Sequence, residues 1–306
     1  MQSTQSKGIL LAFLAALVSG ISVFVNGAAV KLADPFVYTA LKNFGALLFI
    51  GAIALLITGV RHFQGLSRRQ WLHLAAIGVI GGSVPFLMFF WGLKLGGAAV
   101  SSFIFRSLFI FAGLFGYLLL KEMPEPKDAA AGVIMLAGNA LLVSGELSFG
   151  LGQLMVLGAT ALWALEYTIS RKVMADVHPQ AVMASRMLFG SIILIGFLGA
   201  TGASLALDQL SLEMLLWLGV SVAMLTGFMH AWYHSLRHIP VLKATAILAL
   251  GGIVTASLGA AFGGALPSLT EAFGLLLLLV GAGVMVGSAQ LIQALRHLKE
   301  PSPLIR

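Results

Sequence analysis

The chain has 306 residues, 59% of them hydrophobic and 9% charged, with a formal net charge of +7 at pH 7. Soluble domains carry roughly a quarter charged residues, so this composition excludes a soluble globular protein and makes the bilayer the solvent. The excess of Lys and Arg is a matter of membrane topology and gives no ground for a nucleic-acid partner.

A spanning helix needs roughly 20 apolar residues, and runs of that size fall at 8–30, 36–59, 71–92, 98–120, 129–145, 151–170, 180–201, 212–235, 242–264 and 270–293. Apolar residues run continuously and do not alternate, which excludes membrane strands. The first run is longer than a signal-peptide core and lacks a cleavage site, so it reads as a retained helix; Asn26 lies near its far end. Lys42 lies in the second run. Pro85 lies inside the third, where it removes a backbone hydrogen bond and is expected to kink the helix. Arg106 sits in the middle of the fourth, about 12 Å from its outer end at 1.5 Å per residue, with Ser102 one turn earlier on the same face. The sixth holds Trp163, Glu166 and Tyr167, the seventh Arg186, and the eighth His230 and His234, with His238 in the following loop. The pairs Gly92 and Gly96, Gly259 and Gly263, and Gly283 and Gly287 have the small-xxx-small spacing of close helix contacts.

The polar punctuation is written twice. Leu93, Lys94, Pro124 and Asp128 recur 143 positions later as Leu236, Arg237, Pro267 and Glu271. Pro35 precedes Lys42 as Pro179 precedes Arg186, and Asn26 precedes Lys31 as Glu166 precedes Arg171. Five crossings per copy is an odd number, so the second copy enters from the opposite side, the inverted-repeat plan of secondary transporters. One membrane domain results, with halves 1–147 and 148–306. The positive-inside rule then orients it. Thirteen basic residues, Lys7, Arg61, Arg68, Arg69, Lys121, Lys127, Arg171, Lys172, Arg237, Lys243, Arg296, Lys299 and Arg306, fall on the side of the N-terminus, while Lys31 and Lys94 fall opposite. Acidic Asp34, Glu146, Asp208, Glu213 and Glu271 mark that opposite face. Both termini are expected in the cytoplasm of a cell carrying the protein in its cytoplasmic membrane.

The segment from Phe90 to Gly145, FWGLKLGGAAVSSFIFRSLFIFAGLFGYLLLKEMPEPKDAAAGVIMLAGNALLVSG, resembles the characteristic stretch of the EamA branch of the drug/metabolite transporter superfamily. A helix of small residues leads into an aliphatic helix ending in Glu122, and a glycine-marked helix follows. Trp232 to Gly287 repeats it more loosely, with Ala265 at the position of a second Glu122. The resemblance covers nearly the whole chain and implies ten helices in two inverted halves, a cavity lined by helices 1, 3, 4, 6, 8 and 9, and export or exchange of small metabolites. The chain departs from the family's pattern in lacking an early Trp-Gly in helix 1, where Val23 and Phe24 stand, and in having Phe109 and Lys42 at positions usually held by proline and arginine.

An ionisable group inside a span calls for an explanation. Arg106 reads as a fixed charge that binds a substrate carboxylate or phosphate, or as a structural arginine between helices. Glu166 and Arg186 read as an interhelical salt bridge, or Glu166 as a proton acceptor tied to substrate occupancy. Asn26 is placed at the opposite end of the pathway, and Lys42 either snorkels outward or closes a gate with Asp34. Trp163 and Tyr167 are candidate cavity aromatics, Trp91 and Tyr117 cavity or anchoring residues, and Trp71 and Trp217 belt residues. His230, His234 and His238 have helical metal spacing but no supporting carboxylate, so no metal and no cofactor is expected, and His230 alone is kept as a pathway residue. The absence of cysteine excludes disulfides and thiol chemistry.

The expected function is a secondary transporter, an exporter of small organic metabolites with amino acids or related carboxylates favoured, working by alternating access. The expected partners are a small-molecule substrate, membrane lipids and a second copy in a homodimer. The alternatives are a non-catalytic channel or scaffold and an intramembrane enzyme. The enzyme lacks a visible nucleophile and base within the spans, and there is no P-loop for ATP hydrolysis.

Overall fold

The computed structural model describes residues 2–29, 34–57, 59, 63–96, 98–142, 150–202, 211–263 and 266–287, and within them every regular element is helical. The junction between the proposed halves, and Lys31, Arg61, Glu146, Asp208, Ala265, Arg296, Lys299 and Arg306, lie outside these residues. Helix α1 covers Gln2–Ala29, and α2 covers Pro35–Ala52 with a π turn at Ile53–Ile57. Helix α3 consists of Arg68–Gly82 and Val84–Gly96, and α4 of Ala98–Arg106 and Leu108–Phe115 with a π turn at Gly116–Leu120. Then follow α5 (Pro126–Ala140), α6 (Leu151–Val173), α7 (Pro179–Thr201), α8 (Leu212–His238), α9 (Val241–Ala249 and Gly251–Gly263) and α10 (Leu269–Val286).

Polar residues before the apolar runs start the helices. Asp34 accepts from the amides of Phe36 and Val37, with Pro35 at the first helical position. Ser67 with Gln70 and Ser268 with Glu271 form capping boxes. Eight of these helices are long and apolar enough to cross a membrane, which makes this a multi-pass membrane protein. Helix α5, at 15 residues, is too short by that measure, and α6 carries Gln153 and Glu166 among its apolar residues.

The breaks have local causes. In α3 the interruption is at Ser83, two residues before Pro85, where the backbone takes φ −140° and ψ −71° and the hydroxyl turns back to the carbonyl of Val79 at 3.0 Å. In α4 it is at Ser107, and in α9 at Leu250, 143 positions later. The same tight bond follows both, from the Ile110 amide to Ser107 and from the Ile253 amide to Leu250. The repeat offset read from the loops therefore also governs where the helices bend.

The principal packing partners are α1 with α8 and α9, α2 with α7 and α8, α3 with α6 and α7, α4 with α6 and α9, and α5 with α10. Adding or subtracting five from each label returns the same set of pairs, and every one joins the first half of the chain to the second. Burial differs between the two ends. All residues from Pro179 to Met187 are buried, as are Ala231, Trp232, Tyr233, Ser235 and Leu236 of α8 and Lys243 to Ile247 of α9. In the opposite stretch of α9, from Gly252 to Phe262, no residue is buried. At the end that carries Arg171 and Arg237, the sealed end, α7, α8 and α9 are buried, and at the other, splayed end the stretch of α9 is not.

Three expectations are corrected. His238 closes α8 instead of lying in the loop. Gly259 and Gly283 face open space within 4 Å, so their spacing marks no helix contact, and Gly287, at φ +90°, terminates α10. Gly92 does make such a contact: a Cβ there would meet the carbonyl oxygen of Gly152 at 2.6 Å.

Candidate functional site

The centre of the bundle is organised by one carbonyl. In an unbroken helix the amide of residue 85 would bond to the carbonyl of Gly81, four residues back, but Pro85 has no amide hydrogen. The freed oxygen accepts from the indole Nε1 of Trp163 at 3.1 Å and from Nη2 of Arg186 at 2.8 Å. A proline in α3 thus fixes one side chain of α6 and one of α7. Gly81 also has to be glycine, since a Cβ would lie 2.3 Å from Cγ of Glu166.

Glu166 is fully buried. Its Oε1 accepts from Ser170 Oγ and Tyr233 OH, both at 2.6 Å, and its Oε2 lies 3.6 Å from Nε of Arg186. Arg186, 4% exposed, completes its contacts with the sulfur of Met229 at 3.4 Å. The two charges compensate each other where neither could remain alone without a large desolvation cost. The structure therefore brings Glu166, Arg186, Trp163 and Tyr167 into one cluster. Above the ion pair an aromatic box forms. The ring of Trp163 has Phe86, Phe105 and Phe89 around it at centroid distances of 5.2, 5.4 and 5.6 Å, and Tyr167 meets Trp232 at 4.8 Å.

Arg106 is not part of this cluster. Its neighbour Phe105 faces Trp163, so Arg106 turns to α9, where a Cβ on Gly252 would lie 3.2 Å from its Nε. It borders a cavity of about 370 Å³ with Leu142, Ala256, Ala260, Pro267 and Glu271. Ser102 is half-buried one turn away on α4. Lys42 is 8% exposed, its Nζ 6.0 Å from the centre of the Tyr38 ring. Asp34 does not close a gate with it, because its carboxylate caps α2. Among the described residues no carboxylate lies within salt-bridge distance of Arg106 or Lys42.

Asn26, in the last turns of α1, donates to Ser22 Oγ at 3.1 Å, and its own Oδ1 is buried without a partner. His230 bonds the Thr226 carbonyl through Nδ1 at 2.9 Å and stacks on His234. Among the described residues no group of three His, Cys, Asp or Glu side chains is arranged to hold a metal. Trp91 and Tyr117 are 48% and 44% exposed and belong to the outer surface of the bundle.

Sequence reasoning missed the sealed end. Glu122, just past α4, takes Nε of Arg171 from α6 on Oε1 and the amide of Val241 from α9 on Oε2 at 3.0 Å; Arg171 also donates to the carbonyl of Leu236 in α8. Four helices meet on two side chains. Next to them is a second cavity of about 260 Å³. Five of its residues, Gly113, Gly116, Met123, Pro124 and Asp128, stand 143 positions before Ala256, Gly259, Leu266, Pro267 and Glu271 of the larger cavity. The two cavities occupy equivalent places in the two halves. The available signal was the unmatched pair Glu122 and Ala265.

The chain is similar to known proteins in sequence and in fold. An uncharacterized transporter of Archaeoglobus fulgidus is 25% identical over 241 residues, covering 75% of this chain and 80% of that protein. The uncharacterized transporter YwfM of Bacillus subtilis (strain 168) is 29% identical over 279 residues, covering 89% of this chain and 91% of that protein. The crystal structure of another protein shares the fold, with a TM-score of 0.77 over 96% of this chain and 99% of that one at 22% identity. The sequence profile of the EamA-like transporter family matches residues 6–144 and again residues 150–287. Matched twice along nearly its whole length, this multi-pass membrane protein belongs to the EamA-like transporter family.

Proposed function

We propose that the protein is a secondary transporter that exports small organic carboxylates, amino acids foremost, by alternating access between two inverted five-helix halves, 1–147 and 148–306. The observation that carries the substrate class is Arg106, a cation inside a span that forms no salt bridge among the described residues and borders, with Glu271, a cavity of about 370 Å³. That volume falls in the range of small-molecule sites, roughly 300–1,000 Å³. Glu166 and Arg186 neutralise each other, Glu122 and Arg171 do the same, and the Glu271 carboxylate on the same cavity is engaged by Ser268 at the start of α10, so Arg106 is the charge left to recruit a ligand. A guanidinium matches a carboxylate with paired hydrogen bonds. In this reading Ser102 adds a hydroxyl, Trp163 and Tyr167 line the central passage, and Asn26 stands at its outer end. Glu166, Arg186, Lys42 and His230 serve coupling or gating.

The placement of Lys and Arg supports cytoplasmic termini in the cytoplasmic membrane. The sealed end then faces the cytoplasm and the splayed end faces out, the conformation in which an exporter releases its load. The packing symmetry under exchange of halves supports inversion as the basis of the cycle.

The test is flux in proteoliposomes. A thermal-stability screen of purified protein against a carboxylate panel identifies the ligand, since binding to the folded state raises its apparent stability. Wild-type flux of that ligand should saturate and show counterflow, which a channel does not. Arg106→Ala should lose at least about tenfold in kcat/KM. An unchanged affinity and rate in Arg106→Ala would remove Arg106 as the anchor.

A further inference from the structure

The two cavities are related by the repeat, yet among the described residues only the smaller is lined by an ion pair that joins helices. We propose that Glu122 and Arg171 are the inner gate of the transport cycle, an ion-pair latch whose carboxylate has no counterpart at the equivalent position of the other half, and that it sets the resting protein open to the outside. This rests on the alternating-access reading above.

Three observations carry it. First, the latch spans the elements that must separate for the smaller cavity to open. Glu122 follows α4 and holds Arg171 of α6 and the first amide of α9, while Arg171 holds the Leu236 carbonyl near the end of α8. Second, the chain is shaped to present that carboxylate. Lys121 takes a left-handed backbone conformation, with φ 58° and ψ 28°, which ends the π turn and directs Glu122 back over Gly116. A Cβ on Gly116 would lie 3.3 Å from Glu122 Oε2. A side-chain residue here rarely adopts this conformation without a compensating contact. Third, the repeat partner of Glu122 is Ala265, 143 positions on, and the partner of Glu125, which meets Lys243 at 3.7 Å, is Ser268, which caps α10. The outer positions have neither carboxylate, so the residues equivalent to Glu122 and Glu125 cannot form such a pair when the outer cavity closes. A difference in contacts between two states is what biases their populations.

Pairs of this kind are modest when exposed. This one is about four-fifths buried on both sides, 22% exposed at Arg171 and 19% at Glu122, and each partner also bonds the backbone of another helix. Removing either residue leaves the other charge and one backbone group, the Val241 amide or the Leu236 carbonyl, without its partner.

The chain contains no cysteine, so one introduced cysteine reports one position. Leu242→Cys probes the smaller cavity and Ala260→Cys the larger. Each is reacted with a membrane-impermeant maleimide added from one face of sealed proteoliposomes at a time. In the otherwise unaltered protein Ala260→Cys should react and Leu242→Cys should be protected. Adding Glu122→Gln or Arg171→Gln should raise labelling of Leu242→Cys from its own face by about fivefold or more and lower labelling of Ala260→Cys. The two changes together should raise it no further than either alone, and Arg171→Lys should fall between. Unchanged protection of Leu242→Cys in both single variants would overturn the latch, as would a rise at both cysteines together, which reports loosening of the fold. Labelling requires no substrate, so this result is independent of whether a carboxylate is carried.

Discussion

The carbonyl of Gly81 and the indole of Trp163 meet at 3.1 Å because Pro85, four residues on from Gly81, has no amide hydrogen to occupy that oxygen. One absent helical bond in α3 thus becomes two bonds between helices, the second from Arg186. Trp163→Phe keeps the ring and removes only its donor, and should cost about 1 kcal/mol of stability, read as a lower Tm in detergent. An unchanged Tm would show that Arg186 alone satisfies the carbonyl.

Glu166→Gln retains an acceptor for Ser170 and Tyr233 but leaves Arg186 buried without its counter-charge. Losing one partner of a buried pair costs about 3–5 kcal/mol, so this variant should melt well below the wild type. Replacing both, as Glu166→Gln with Arg186→Met, should recover part of the loss. A double variant as unstable as the sum of the two single ones would mean the charges do not compensate each other.

Gly81→Ala and Gly283→Ala should differ in sign. At Gly81 a methyl group would meet Glu166 Cγ at 2.3 Å, while at Gly283 nothing lies within 4 Å. The first should destabilise by about 1–3 kcal/mol through overpacking. The second should be neutral or stabilise by up to about 1 kcal/mol through helix propensity. Thermal unfolding of the two variants side by side decides it.

Glu125, outside the spans, bonds Lys127 at 2.8 Å and faces Lys243 at 3.7 Å. Lys127 first, and then Lys243, hold its carboxyl below the ordinary value of 4.5. A carboxyl group whose pKa is lower in the folded state stabilises the fold above its unfolded value, and that contribution is lost as pH falls through the folded value. Lys127→Ala should therefore lower Tm slightly at neutral pH and flatten the acid limb of a Tm profile taken from about pH 6 down to about pH 3, the difference from wild type vanishing at the acid end. An acid limb identical to wild type would show that this exposed pair does not contribute.

Much of the architecture is legible in the residues. The offset of 143 that relates Pro124 to Pro267 also relates the helix breaks at Ser107 and Leu250 and the walls of the two cavities, and the two stretches that match the family profile contain them in turn. Burial of Glu166 against Arg186 follows from what an apolar medium requires of charge. Other features are not local. Pro85 announces a lost hydrogen bond but not which side chains will take the freed carbonyl, since that depends on how α6 and α7 lie against α3. Arg106 and Phe105 are adjacent in sequence and face different helices, so spacing alone could not assign Arg106 to a cavity apart from Trp163. Arg171 reads as one more positive charge at a helix end until Glu122 is seen to reach it across 49 positions.

The pairing of helices across the two halves constrains biogenesis. Helices α1, α2, α3, α4 and α5 find their principal neighbours only in the second half of the chain. A ribosome that has delivered α5 has inserted five segments that still lack their native contacts, and lipid must solvate the faces on which α6 to α10 will dock. Truncation after α5 should leave material for membrane quality control and not a stable half-protein. The two halves supplied as separate chains have what they need to assemble on each other.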